Sequence, residues 1–173
     1  MNDPAGTLRT LRFVLGFFIV ALVVSGITAF PLAREMEWLV SALGLQQQPT
    51  ASGSPGGPGF WIRTVHDGLN EAYAAHPWIA YGTDWLAFAH IIIAVFFIGP
   101  FIDPVRNVWV IKAGLIACGL VVPPAIVCGA VRGIPVGWRL IDCSFGVIGA
   151  VPLYYCLRLT KTLEKLPPTQ QLR

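Results

Sequence analysis

Charge is what this sequence has least of. Only 12% of its 173 residues are Asp, Glu, Lys or Arg, where soluble domains carry about 25%. So few charges cannot cover a water-facing surface, which excludes an ordinary soluble domain. The net charge of +3 comes from scattered basic residues. That excludes a nucleic-acid footprint, and with it nucleic acid as a partner. Histidine is scarce, with three residues in all. The four cysteines, Cys118, Cys128, Cys143 and Cys156, form neither CxxC nor CxxCH. Thioredoxin-like redox chemistry therefore lacks its motif, and c-type haem attachment is excluded. Strict alternation of apolar and polar residues is also missing, and the apolar runs are too few to close a barrel of membrane strands.

Long apolar runs are what the chain does have. A membrane-spanning helix needs about 20 apolar residues, and four stretches qualify: Phe13–Phe30, Trp85–Ile102, Val108–Val131 and Leu140–Leu157. The first has a basic start at Arg9 and Arg12, and Ala29 would suit signal cleavage; we read it as a retained span. The expectation is an all-α chain: a four-helix transmembrane bundle forming a single membrane domain over 1–173.

Orientation follows from Lys and Arg, which concentrate on the cytoplasmic side. Arg9, Arg12, Arg106, Lys112, Arg158, Lys161, Lys165 and Arg173 share one side, and Arg34, Arg63, Arg132 and Arg139 the other, eight against four. Both termini are thus expected in the cytoplasm, and residues 31–84 outside it. Within that segment Leu32–Leu43 reads as a short amphipathic helix, and the polar, Gly- and Pro-rich Gln46–Gly59 as a mobile loop. Trp61–His76 reads as a second helix, with Trp61, Val65, Leu69, Ala72 and Tyr73 on one stripe and Arg63, Asp67, Asn70 and Glu71 opposite. These are expected to be extracytoplasmic interfacial helices that cover the bundle ends. Pro77 closes the second, and Trp78, Tyr81 and Trp85 form an aromatic belt before the next span.

Small residues mark where helices touch. They place Ala87, His90 and Ala94 on one face of span two, Gly114, Cys118, Val121 and Ala125 on span three, and Asp142, Gly146 and Gly149 on span four. Pro123 and Pro124 are expected to kink span three, and Pro152 could do the same in span four.

An ionisable group inside the bilayer costs at least about 2.5 kcal/mol, which makes it a functional suspect. His90 and Asp142 are two such groups, both expected in the outer third of the membrane. Asp84 lies about 9 Å from His90 at helical rise. Arg139 precedes Asp142 by one turn, and Arg132 and Arg139 flank the turn RGIPVGWR. The expected ligand site is a cluster of His90, Asp84, Asp142, Arg139 and Arg132, with Glu35 and His66 above it. The bland alternative is an ion-pair network pinning helix ends, with Arg139 on Asp142. No catalytic residue is assigned, and whether the chain is an enzyme is open. A haem between His90 and His66 is an alternative. So is a metal held by Cys128, Cys143 and His90, or a disulfide joining Cys128 to Cys143.

Three segments stand out as motifs: YGTDWLAFAH, FIGPFIDPVRNVWVIK and RGIPVGWRLIDCSFG. Through them, and through SGITAFPL at the end of span one, the stretch from Tyr81 to Tyr154 resembles an uncharacterised group of small bacterial four-span inner-membrane proteins. The resemblance implies a bacterial inner-membrane setting and carries no activity or catalytic residue. Three roles then compete. An accessory or scaffold subunit of a membrane assembly leads. A membrane enzyme or redox or ligand-binding protein with a polar site at the outer boundary follows. An oligomeric carrier or channel comes third. Partners are the lipid bilayer and either other membrane proteins or further copies of the chain.

Overall fold

A computed structural model describes residues 3–47 and 57–167. The core of the expected mobile loop, residues 48–56, and Arg173 lie outside them. All regular elements among the described residues are helical: α1 (Pro4–Ala29), α2 (Leu32–Ala42), a 3-10 turn at Leu45–Gln47, α3 (Pro58–Ala75), α4 (Pro77–Phe96), α5 (Ile98–Ile102), α6 (Val108–Leu120), α7 (Val122–Val131) and α8 (Val136–Glu164). Four helical stretches among the described residues are long and apolar enough to cross a membrane: Pro4–Ala29, Pro77–Ile102, Val108–Val131 and Val136–Glu164. This fits a multi-pass integral membrane protein.

The helices overrun the apolar runs, because polar turns extend a helix as readily as apolar ones. Asp3 starts α1 by accepting the Ala5 and Gly6 N–H groups at 3.1 and 3.0 Å, with Pro4 in the first-turn position that suits proline. Span two begins at Pro77 rather than Trp85, so Trp78, Tyr81 and Trp85 sit on its opening turns. It also breaks at Phe97, just before Pro100. Span three breaks at Val121 where expected, and Pro123 and Pro124 fall in the opening turn of α7. Neither proline can donate to the turn before it, so the helix restarts there. Helix α8 runs unbroken through Pro152.

The chain forms two compact units, Met1–Leu22 with Ile93–Arg173, and Val23–Ile92. In the first, Leu8, Leu11, Leu15, Phe97, Ile111, Leu153, Cys156 and Leu163 make the buried core. Helix α8 packs along α6 and α7 through the small residues expected. A side chain at Gly114 would strike Leu153 and Phe97, one at Gly149 the Cys118 sulfur, and one at Gly146 the Cys118 carbonyl. The turn after span two is tied by side chains. Asp103 accepts the Arg106 N–H, Asn107 donates to the Gly99 and Asp103 carbonyls, and Arg12 donates to those of Phe101 and Ile102 at 3.1 Å each. Arg12 thus satisfies carbonyls that the end of α5 leaves without helical donors.

The second unit holds α2 and α3, which pack on each other, burying Met36, Val40, Leu45 and Ile62. Its part of span one meets span two at Gly26, where a side chain would strike the Ala87 carbonyl, Ile91 and the His90 Cβ. Ala87 and His90, two of the three residues of the expected small face of α4, are therefore a helix contact within this unit.

Candidate functional site

Helix α3 carries the densest polar network. Asp67 accepts from the His66 Nδ1–H at 2.8 Å and from the Arg63 guanidinium at 3.3 Å. A carboxylate only accepts, so the His66 proton sits on Nδ1, and its Nε2 accepts from the Asn70 amide at 3.1 Å. Arg63 also donates to the Leu45 and Gln46 carbonyls at 3.3 and 3.4 Å, fastening the end of the 3-10 turn. The bond from His66 holds the Asp67 carboxyl below its ordinary range; burial opposes this, and the Arg63 charge adds to it. Tyr73 donates to the Thr83 hydroxyl, which donates to the Ala80 carbonyl, so the α3–α4 corner is pinned as well. His66 lies on the packed side of α3, with 17% of its side chain exposed. The expected stripe of Trp61, Val65, Leu69, Ala72 and Tyr73 is at least partly buried throughout, and Ile62 and His66 are packed beside it.

Asp84 has different surroundings. It lines a shallow groove of about 270 Å³ with Phe30, Tyr81, Trp85 and Phe88. The Trp85 ring stands at 90° to Tyr81 and 87° to Phe88, each with centroids 6.0 Å apart. His90 lies about 120° further round α4 at helical pitch. Its Nδ1–H donates to the Leu86 carbonyl at 3.0 Å. The two residues share a helix but not a face. Glu35 is exposed on the first turn of α2, where a negative charge suits the helix dipole. It borders a separate groove with Leu32, Met36, Trp38 and Leu39. Among the described residues of this unit, Glu35, His66, Asp84 and His90 make no hydrogen bond or ion pair with one another.

In the other unit Arg139 and Asp142 diverge. The expected ion pair is not formed among the described residues. The Arg139 stem lies over Gly129, and its guanidinium donates to the Ile126 carbonyl at 3.4 Å, while its buried Nε has no partner there. Asp142 faces a groove lined by Ala117, Leu120, Val121, Pro124 and Ala125. Arg132 is the exposed C-cap of α7. Gly133 follows with φ +70°, and Gly133 and Ile134 donate back to the Ala130 and Gly129 carbonyls. This is the Schellman arrangement, which explains RGIPVGWR as a turn.

All four cysteines are free thiols, Cys128 and Cys143 included. No three His, Cys, Asp or Glu side chains among the described residues gather to hold a metal. Nor does His66 suit a haem iron shared with His90, because Asp67 and Asn70 engage both of its ring nitrogens.

Compared with protein-family models, curated proteins and solved structures, the chain matches none.

Sequence reasoning missed that Asp84 sits among aromatic rings. The signal was present: Tyr81, Trp85 and Phe88 recur at i, i+4 and i+7, with Asp84 beside them. Reading the aromatics only as a belt hid it. The contribution of Phe30 comes from packing, and spacing along the chain does not show it.

Proposed function

We propose that this chain is a non-catalytic subunit of a bacterial inner-membrane assembly, with its termini in the cytoplasm and residues 31–84 outside it. The resemblance of its motifs to small bacterial membrane proteins supports the setting, and the Lys and Arg distribution supports the orientation. The amphipathic helices α2 and α3 then lie at the outer interface, as their one-sided apolar faces favour.

A single observation carries the subunit role. In its most apolar window, span three has only 6% of its residues buried within the chain. Part of its uncovered surface is the groove of Ala117, Leu120, Val121, Pro124 and Ala125, with Asp142 opening into it from α8. Small residues admit a neighbouring helix closely, and a carboxylate among them calls for a hydrogen-bond donor or cation from that neighbour. The occupant is a helix of another membrane protein carrying such a group.

Photocrosslinking in native membranes tests this. A photoreactive residue at Ala117 or Ala125 is expected to give one discrete protein adduct, weakened by Asp142→Asn. The same residue at Ile148, on the exposed side of α8, is expected to give only lipid adducts. Equal adducts from both faces, or none from the groove, would overturn the role. A self-adduct would replace it with a homo-oligomer.

A further inference from the structure

The opening half of α1 carries a groove that the assembly role leaves unused. Arg9, Arg12, Phe13, Gly16, Phe17 and Val20 line it, and Phe101 of α5 is its far wall. Its volume of about 520 Å³ falls in the range of ligand sites, roughly 300–1,000 Å³. The α1 residues recur at i, i+3, i+4, i+7, i+8 and i+11, one face of a helix. From Arg9 to Val20 that face runs about 16 Å at helical rise. This is about half of a hydrocarbon core of roughly 30 Å, the depth of one leaflet. A partner helix would need the whole depth, whereas an acyl chain needs only this half.

The lining is almost wholly apolar, as an acyl chain requires. Phe13, Phe17 and Val20 are exposed. Gly16 opens a notch between the two rings, and a side chain there would come within 3.5 Å of the Phe101 ring. The two arginines line the groove with their methylene stems. Side chains on a helix lean toward its N-terminus, so the guanidiniums lie past the groove's apolar floor on that side.

One of these heads is fixed in place. The Arg12 Nε and Nη2 donate to the Phe101 and Ile102 carbonyls at 3.1 Å each, which sets the guanidinium beside the far wall with further N–H groups to spare. Arg9, one turn nearer the helix start, is exposed and makes no hydrogen bond or ion pair among the described residues. The acids nearest in sequence are engaged by backbone: Asp3 accepts from Ala5 and Gly6, and Asp103 from Arg106. An apolar trough one leaflet deep that ends at two guanidiniums matches an anionic amphiphile, and the guanidinium fork suits phosphate.

We infer that this groove binds one anionic phospholipid, its acyl chain along Gly16 toward Val20 and its phosphate at Arg9 and Arg12. This goes beyond the proposed assembly role and is independent of the groove at Asp142. A zwitterionic head group carries its own cation, which the arginines repel, so a net negative head is preferred.

Native mass spectrometry of the full chain in detergent tests the site, with phosphatidylglycerol and phosphatidylcholine of the same acyl chains. One phosphatidylglycerol is expected to bind saturably, at least about tenfold more tightly than phosphatidylcholine. Arg9→Gln is expected to weaken phosphatidylglycerol about fivefold and to leave phosphatidylcholine unchanged. Gly16→Leu fills the groove whatever the head group, so it is expected to weaken both lipids. Arg9 has no partner to lose and Gly16 meets Phe101 only at ordinary contact distance, so both variants keep the fold, which circular dichroism verifies. Equal affinity for the two lipids, or lipids adding without saturation, would refute the site. So would phosphatidylglycerol affinity unchanged in both variants. Displacement of the lipid by an equal concentration of inorganic phosphate would assign the arginines to a free anion and refute the lipid.

Discussion

At Gly146 one added methyl group would meet the Cys118 carbonyl, which belongs to the backbone and cannot step aside. Gly119, by contrast, faces open space. Gly146→Ala is therefore expected to cost about 1–3 kcal/mol through overpacking, while Gly119→Ala is neutral or slightly stabilising. Thermal unfolding in detergent, followed by circular dichroism, compares them; equal shifts would contradict the packing described for α6 and α8. Asp67 is the residue whose protonation matters on the polar segment. Its folded pKa lies below the unfolded one because the carboxylate accepts from His66 and Arg63. The stability it lends is complete above about pH 4, the ordinary carboxylate range. It disappears as pH falls through the lowered folded value. The carboxylate is 40% exposed, so screening keeps the effect within about 1 kcal/mol. Hydrogen exchange of α3, corrected for intrinsic rates, should be flat from neutral pH down to that range and then rise. Asp67→Asn should remove the acid-induced rise, and a rise in the wild type well above that pH would disprove the assignment.

Among the elements, the broken span three is the one whose cause is most local. Pro123 and Pro124 have no N–H to give to the Gly119 and Leu120 carbonyls, so α6 stops and α7 restarts at Val122. Changing both to Ala returns two donors. Each recovered hydrogen bond adds about 1 kcal/mol, so amide protection across residues 120–125 should rise about fivefold. Unchanged protection would mean that packing on α8, not proline, sets the break. The break was legible in the sequence because its cause is covalent. The start of span two at Pro77 was less legible. Trp78, Tyr81 and Asp84 dilute the apolar signal, yet the backbone makes the same hydrogen bonds through them.

For the molecule as a whole, the outward surface of the spans is the main evidence of its solvent. Phe13, Leu86, Val131 and Ile148 are 76, 68, 80 and 66% exposed. Such a surface would aggregate in water and is at ease only in hydrocarbon. With four spans the two termini share a side. Reporters fused at the N-terminus and after Lys165 are expected to read the same compartment, and a reporter inserted within residues 48–56 the opposite one. Termini on different sides would require an odd number of crossings.

Composition and run length determined by themselves that this chain is helical and has four apolar spans, because hydrophobicity over about 20 residues is a property of the segment alone. The proline break, the small-residue faces and the corner at Pro77 were equally local. Polar side chains were another matter. Arg139 stands one turn from Asp142 along the chain, yet it reaches across to the Ile126 carbonyl. Asp84 was expected near His90 and instead lines a groove with Phe30, more than fifty positions away in sequence. Only the tertiary structure decided these partners. A long side chain can rotate toward any acceptor within reach, and the neighbouring helix selects which one is there.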